Sequence, residues 1–237
     1  YIFIHKFRFK KINFIEDNNN NMFNKNLINT LKYPLFFLLI MWGVKIFEIL
    51  YNTSYIDLGV LPRSFKGLKG IVFSPFIHKD LSHLINNSMP IIVLGSSLSY
   101  FYPRIKFRLV LWLYFTCGIL LWGIGRSSFH IGASGFIYAL ASFIFFSGLM
   151  KKNKRLSALS LVVVFIYGSM FWGLLPTHEN VSWEGHLSGL IAGLIIAFFF
   201  KNLGPKKDVY QWEIDEQDEI KYNKDEIKIT YDYIEKK

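Results

Sequence analysis

The chain is divided into apolar runs of near-membrane length, and that pattern restricts its fold more than any other feature. Stretches with few or no charges occupy roughly 34–51, 88–102, 109–125, 133–150, 156–175 and 185–200. A helix needs about 20 residues at about 1.5 Å each to cross a hydrocarbon core of about 30 Å. Several runs reach that length unaided. The run at 88–102 reaches it only if its helix extends back over the polar residues before it, which then lie inside the bilayer or inside the bundle. The pattern predicts an all-α, polytopic membrane fold of six transmembrane helices. A composition of 52% hydrophobic and 18% aromatic residues, with a mean hydropathy of +0.28, agrees with it.

A net charge of +10 would suit a nucleic-acid binder, but its placement argues against one. Arg104, Lys106 and Arg108 follow the second run, Lys151, Lys152, Lys154 and Arg155 the fourth, and Lys201, Lys206 and Lys207 the sixth. With Lys6, Arg8, Lys10, Lys11, Lys25 and Lys32 at the start, these cations mark one side of a membrane, so both termini are expected in the cytoplasm. The opposite loops after the third and fifth runs are lean in Lys and Arg. The first outer loop, about 52–80, carries Arg63, Lys66, Lys69 and Lys79 and is too long for a plain connection, so it is expected to hold structure of its own.

Three regions follow: a polar, basic segment 1–32, a membrane domain 33–202 and a charged cytoplasmic tail 203–237. Met22, after the run Asn18 to Asn21, is a candidate natural start, with the earlier residues an upstream extension. The tail mixes acids and bases without an apolar stripe and is read as solvated. Cys117 is the single cysteine and lies in the third run, which excludes a disulfide framework and reads as a packed thiol.

Polar side chains at membrane depth are costly and mark function by default. In FIHKDLSHLINNSMP, residues 76–90, His83 and Asn87 are four apart and share a helix face, with Asp80 and Ser82 as helix-start residues. They are read either as an anion-stabilising pair or as interfacial residues that bond a loop or another helix. In HIGASGFIYAL, residues 130–140, Ser134 and Tyr138 share a face beside a small stripe of Gly135, Ala139 and Ser142. Ser134 stands where the fourth helix starts, and free N–H groups there stabilise negative charge. The serine is a nucleophile or merely part of a packing motif. In WEGHLSGLIAG, residues 183–193, His186 shares a face with Gly189 and Gly193, a surface that admits close contact with the small stripe of the fourth helix.

Topology supplies an independent check. From an inside N-terminus, spans two, four and six all enter from the outside. His83, Asn87, Ser134 and His186 therefore fall in the first turns of three parallel helices, at one depth and on one side. The chemistry this permits is a Ser134–His186 dyad, with His186 as base and with His83, the Asn87 amide and the Ser134 N–H as oxyanion donors. Glu184 is only two residues from His186 and points away on a helix, so no third triad member is expected. Tyr138 is a candidate to pack against and orient the imidazole. Water must reach the site through a polar cavity open to the outer face. Lys45 and Glu48, three apart, are read as a self-paired couple at the membrane boundary.

The combination of His78, His83 and Asn87, then Gly132, Ala133, Ser134 and Gly135 with Tyr138, then His186, Gly189 and Gly193, in that order over about 34–200, resembles the rhomboid intramembrane serine proteases. The resemblance implies a six-helix bundle with Ser134 as nucleophile, His186 as base, and His83 and Asn87 assisting the oxyanion. It also implies single-span membrane-protein substrates, cut near the outer boundary of their helix, with no cofactor and no metal. Two positions depart from the family's pattern. Lys69 and Gly70 stand where a Trp-Arg pair is usual, and Gly185 precedes the last histidine where alanine is common. The rival readings are a catalytically inactive rhomboid-like protein that binds transmembrane clients, and a metal or haem carrier using His78, His83 and His186. The first usually lacks the serine or the histidine; the second leaves Gly-Ala-Ser-Gly unexplained. A residue usage rich in Asn, Lys, Ile, Phe and Tyr points to a low-GC bacterium and its plasma membrane.

Overall fold

The computed structural model describes residues 27–166, 173–176, 182–205, 212 and 214–216. The segment 1–26 and most of the charged tail lie outside the described residues, and with them the candidate start at Met22. All regular structure among the described residues is helical, apart from one isolated bridge between Val60 and His130.

The helices are α1 (Leu27–Leu50), α2 (Gly70–Phe73), α3 (Leu81–Phe101), α4 (Lys106–Ile124), α5 (Ser134–Met150), α6 (Lys154–Ile166) and α7 (Trp183–Phe199). α1 and α4 are long and apolar enough to cross a membrane by length and composition. α3 does extend back over polar sequence: it starts at Leu81, with Asp80 as N-cap accepting from His83 N at 2.8 Å. α5 and α7 have 17 residues each, about 25 Å of helix, a little less than a hydrocarbon core.

Burial explains the arrangement. Every residue from 136 to 144 of α5 is buried, so this helix, apolar on all sides, is the central post of the bundle. α3, α4, α6 and α7 pack around it. α4 turns Leu109, Leu113, Cys117 and Leu121 inward at four-residue spacing. Its outward residues, Phe107, Leu111, Trp112, Phe115 and Ile119, are equally apolar, as are the outward Leu35, Phe36, Leu39 and Leu50 of α1. A surface of that kind would aggregate in water and is what lipid accommodates.

The loop 52–80 holds structure, as its length requires: 3-10 turns at Ile56–Leu58, Phe65–Gly67 and Ser74–Phe76 surround α2. Arg63 explains part of the loop's positive charge. Its guanidinium donates to the carbonyls of Gly123 at 3.2 Å and Gly125 at 2.8 Å, satisfying acceptors left over at the C-terminus of α4. Lys45 and Glu48 pair at 3.0 Å, and the pair does more than neutralise itself. The Lys45 ammonium also donates to the carbonyls of His78 at 2.9 Å and Lys79 at 3.1 Å, while Glu48 accepts from Tyr55 N at 2.9 Å. α1 is thereby tied to the segment that launches α3.

Candidate active site

Two apolar helices meet here with almost no side chain between them. A Cβ on Gly193 would lie 2.5 Å from both the Ala139 carbonyl oxygen and Ser142 Cβ, and one on Gly189 would overlap the Gly135 carbonyl. The small stripes of α5 and α7 are therefore in backbone contact, as their spacing predicts. Gly185 continues the contact: its carbonyl oxygen stands 3.0 Å from where a Cβ on Gly135 would be.

That approach brings the first turns of the two helices together. Ser134 is the first residue of α5 and His186 the fourth of α7, and His186 Nε2 lies 2.9 Å from Ser134 Oγ. The other ring nitrogen, Nδ1, is 2.7 Å from the Gly173 carbonyl oxygen. A carbonyl only accepts, so Nδ1 carries the hydrogen and Nε2 presents its lone pair to the serine hydroxyl. The imidazole stacks on Tyr138, with ring centroids 4.3 Å apart and planes 8° from parallel. Glu184 turns away, as expected, and faces Arg126 at 3.6 Å. A backbone carbonyl thus occupies the position where a triad would put a carboxylate. Sequence reasoning did not find Gly173, because any residue type has a carbonyl. Its side chain is nevertheless constrained: a Cβ there would come within 2.6 Å of Tyr138 Oη and 2.8 Å of His186 Nδ1.

The turn into Ser134 is set by backbone. Gly132 has φ +103°, a conformation that costs a side-chain-bearing residue energy. Gly132 N donates to the Ser74 carbonyl at 2.9 Å, and Ala133 N donates to His78 Nε2 at 3.4 Å. His78 is 1% exposed, and burial, then the neighbouring His83, pushes its pKa down to about 3. It is therefore neutral and has the lone pair that accepting from Ala133 requires.

His83 and Asn87 face the same turn from α3. A Cβ on Gly132 would meet His83 Cε1 at 2.6 Å, His83 Nε2 at 2.8 Å and Asn87 Nδ2 at 3.8 Å, so both side chains close directly over it. Asn87 Nδ2 is buried with no hydrogen-bond partner among the described residues, a donor with nothing yet to donate to. On the other side of Ser134 a cavity of about 30 Å³ has Ser74, His130, Ser182 and Cys117 in its wall. That is space for about one or two waters with polar partners at hand. Of the nine site positions named from sequence, Ser134, His186, His83, Asn87, Tyr138, Gly132 and Gly135 gather about the serine, while Gly189 and Gly193 pack α7 against α5 further along the helices.

An all-helical protein with a serine and a tautomer-defined histidine in hydrogen bond at the starts of two tightly packed apolar helices belongs to a narrow class. The chain belongs to the rhomboid family: the sequence model of the Rhomboid domain matches residues 66–202. An uncharacterized protein of Mycobacterium tuberculosis is 32% identical over 176 residues, covering 69% of this chain and 72% of the relative. A Mycobacterium bovis protein matches to the same extent, and one from Mycobacterium leprae is 32% identical over 178 residues, covering 69% and 68%. Members of this family are generally intramembrane serine proteases, and the protein is accordingly a helical membrane protein.

Proposed function

We propose that the chain is an intramembrane serine endopeptidase that cuts transmembrane segments of single-span membrane proteins near the outer membrane face. The proposal includes six membrane spans, both termini in the cytoplasm and a bacterial plasma membrane as location. The observation that carries it is the 2.9 Å contact of Ser134 Oγ with a His186 whose other nitrogen is committed to Gly173. An imidazole held in that tautomer turns its basic nitrogen toward the serine hydroxyl.

The geometry supports the following reaction. His186 Nε2 takes the Ser134 proton while Oγ attacks a substrate peptide carbonyl. The resulting oxyanion is held by the Ser134 backbone N–H, the His83 imidazole and the otherwise unpartnered Asn87 amide. Such donors act mainly in the transition state, and removing one typically costs about 10²- to 10³-fold in kcat. The protonated His186 then gives its proton to the leaving amine, which departs and leaves an acyl-enzyme on Ser134. Water, for which the small cavity beside Ser134 has room, attacks the ester with His186 again as base.

Reconstitution into lipid with a model transmembrane substrate tests this. Wild type should cleave and its Ser134 should be labelled by a serine-directed fluorophosphonate; Ser134→Ala should do neither. Equal cleavage by the Ser134→Ala protein would refute the reading, and stable client binding by an uncleaving wild type would mark a non-catalytic family member instead.

A further inference from the structure

Ser134 and His186 sit on different helices, and each is preceded at four residues by a polar side chain that the reaction does not use. Ahead of Ser134 is His130; ahead of His186 is Ser182. These two bond to each other, His130 Nδ1 to Ser182 Oγ, at 2.7 Å.

The direction of every bond in this group can be worked out. His130 Nε2 lies 3.1 Å from the Arg126 carbonyl oxygen, which only accepts, so Nε2 carries a hydrogen. His130 is 3% exposed, and burial lowers its pKa, so the ring is neutral and Nδ1 is a lone pair. The Ser182 hydroxyl must then donate to it. Ser182 is also the N-cap of α7, its Oγ accepting from Gly185 N at 3.3 Å. One hydroxyl therefore ends the helix that carries the base and reaches across to the segment that leads into the nucleophile.

Both ends are stiff. The His130 backbone is pinned to the first loop, with His130 N donating to Val60 O at 2.8 Å and Val60 N to His130 O at 2.9 Å. Two residues further on, Gly132 N is held by Ser74 O at 2.9 Å. On the other side, His186 N donates to the Ser182 carbonyl at 3.2 Å, so Ser182 and His186 belong to one helical turn. A shift at either end is passed to the reacting atoms with little slack between.

We propose that His130 is a positioning residue for the Ser134–His186 pair, acting through Ser182 as a clasp that holds the segment entering α5 at a fixed distance from the first turn of α7. The kinetic consequence rests on the protease reading above; the bond pattern does not. The glycine contacts between α5 and α7 begin beside the dyad, at Gly135 and Gly185, and run away from it to Gly193. The clasp lies on the other side of the dyad, so the pair is held from both sides.

The test uses the full chain in lipid, with kcat and KM on a model transmembrane substrate, thermal stability, and ¹⁵N-histidine NMR. His130→Ala and Ser182→Ala should each lower kcat by about 10- to 100-fold, with KM within about threefold of wild type. The double variant should be no worse than either single one, since both remove the same bond. Ser182→Thr, which keeps the hydroxyl, should recover most of the rate. Leu113→Ala, in the core of α4, serves as a control that loses stability while keeping kcat per labelled enzyme. Multiplying losses in the double variant, a Ser182→Thr as poor as Ser182→Ala, or an equal kcat loss in Leu113→Ala would each overturn the positioning role. NMR separates the two proposals. Wild-type His130 should be the Nε2–H tautomer, with an Nδ1 resonance that moves in Ser182→Ala. An Nδ1–H tautomer, or an Nδ1 resonance that does not move, would overturn the clasp even in an active protease. The expected NMR pattern in a protein that never cleaves would refute the protease reading and leave the clasp standing.

Discussion

Gly189→Ala adds one methyl group where α7 crosses α5, and its effect can be worked from the packing. The new Cβ would overlap the Gly135 carbonyl oxygen and stand 2.8 Å from Tyr138 Cβ and 3.0 Å from Ala139 N. Two of the three are backbone atoms of α5, which cannot turn aside as a flexible side chain would. Ordinary carbon contacts begin near about 3.5 Å, so α7 has to retreat by about 1 Å. Overpacking of this kind costs about 1–3 kcal/mol, and the better helix propensity of alanine returns about 1 kcal/mol at most. The functional loss should be larger. Retreat of α7 carries His186 with it and lengthens a 2.9 Å contact toward about 4 Å, beyond the roughly 2.6–3.2 Å reach of a general base. A misplacement of about 1 Å corresponds to about 100-fold in rate. The assay is kcat on a transmembrane substrate together with the fluorophosphonate labelling rate, beside a melting curve. Gly43→Ala is the paired control, because a Cβ there meets nothing within 4 Å. A Gly189→Ala protein with kcat within about threefold of wild type would show that the closeness of α5 and α7 is not what sets the dyad.

The oxyanion role of Asn87 predicts that Asn87→Ala lowers kcat by about 10²- to 10³-fold with KM little changed, as steady-state kinetics would show; a change confined to KM would move Asn87 to substrate binding. Gly173→Ala should displace the imidazole, because its Cβ would press on His186 Nδ1 at 2.8 Å and Tyr138 Oη at 2.6 Å. A labelling rate down by about 10- to 100-fold is expected, and a wild-type rate would remove Gly173 as the orienting acceptor. Acid should weaken the fold through His78. Its pKa in the folded protein, about 3, lies below the ordinary 6.5, so the stability is full above about 6.5 and is lost as pH falls toward about 3, at up to about 1.4 kcal/mol per unit. Melting temperature against pH should therefore show a shallower acid limb in His78→Gln than in wild type, and identical limbs would contradict the assignment.

Much of the site was legible because its logic is periodic. His83 with Asn87 and Ser134 with Tyr138 are pairs four residues apart, and Gly189 with Gly193 repeats the spacing, so each pair's shared face follows from 3.6 residues per turn alone. The apolar runs similarly foretold where α3, α4, α5 and α7 lie, including the backward extension of α3 over polar sequence. Less legible were contacts with no period. Arg63 reaches carbonyls about sixty residues away at the end of α4, and Lys45 reaches those of His78 and Lys79; a charge pattern shows that such cations exist but not which acceptors they find.

What the amino-acid sequence determined by itself is the chemistry available and the face each group occupies: a serine and a histidine at helix starts, small residues along the same helices, and an imidazole and an amide sharing one face of another. These are local properties, set by residue type and by helical geometry. Only the tertiary structure decided which atoms complete the arrangement. The Gly173 carbonyl that holds the tautomer of His186, the His78 lone pair that receives Ala133 N–H, and the bond from His130 to Ser182 all join residues distant in the chain. Two of them use backbone groups, which every residue has and no sequence distinguishes.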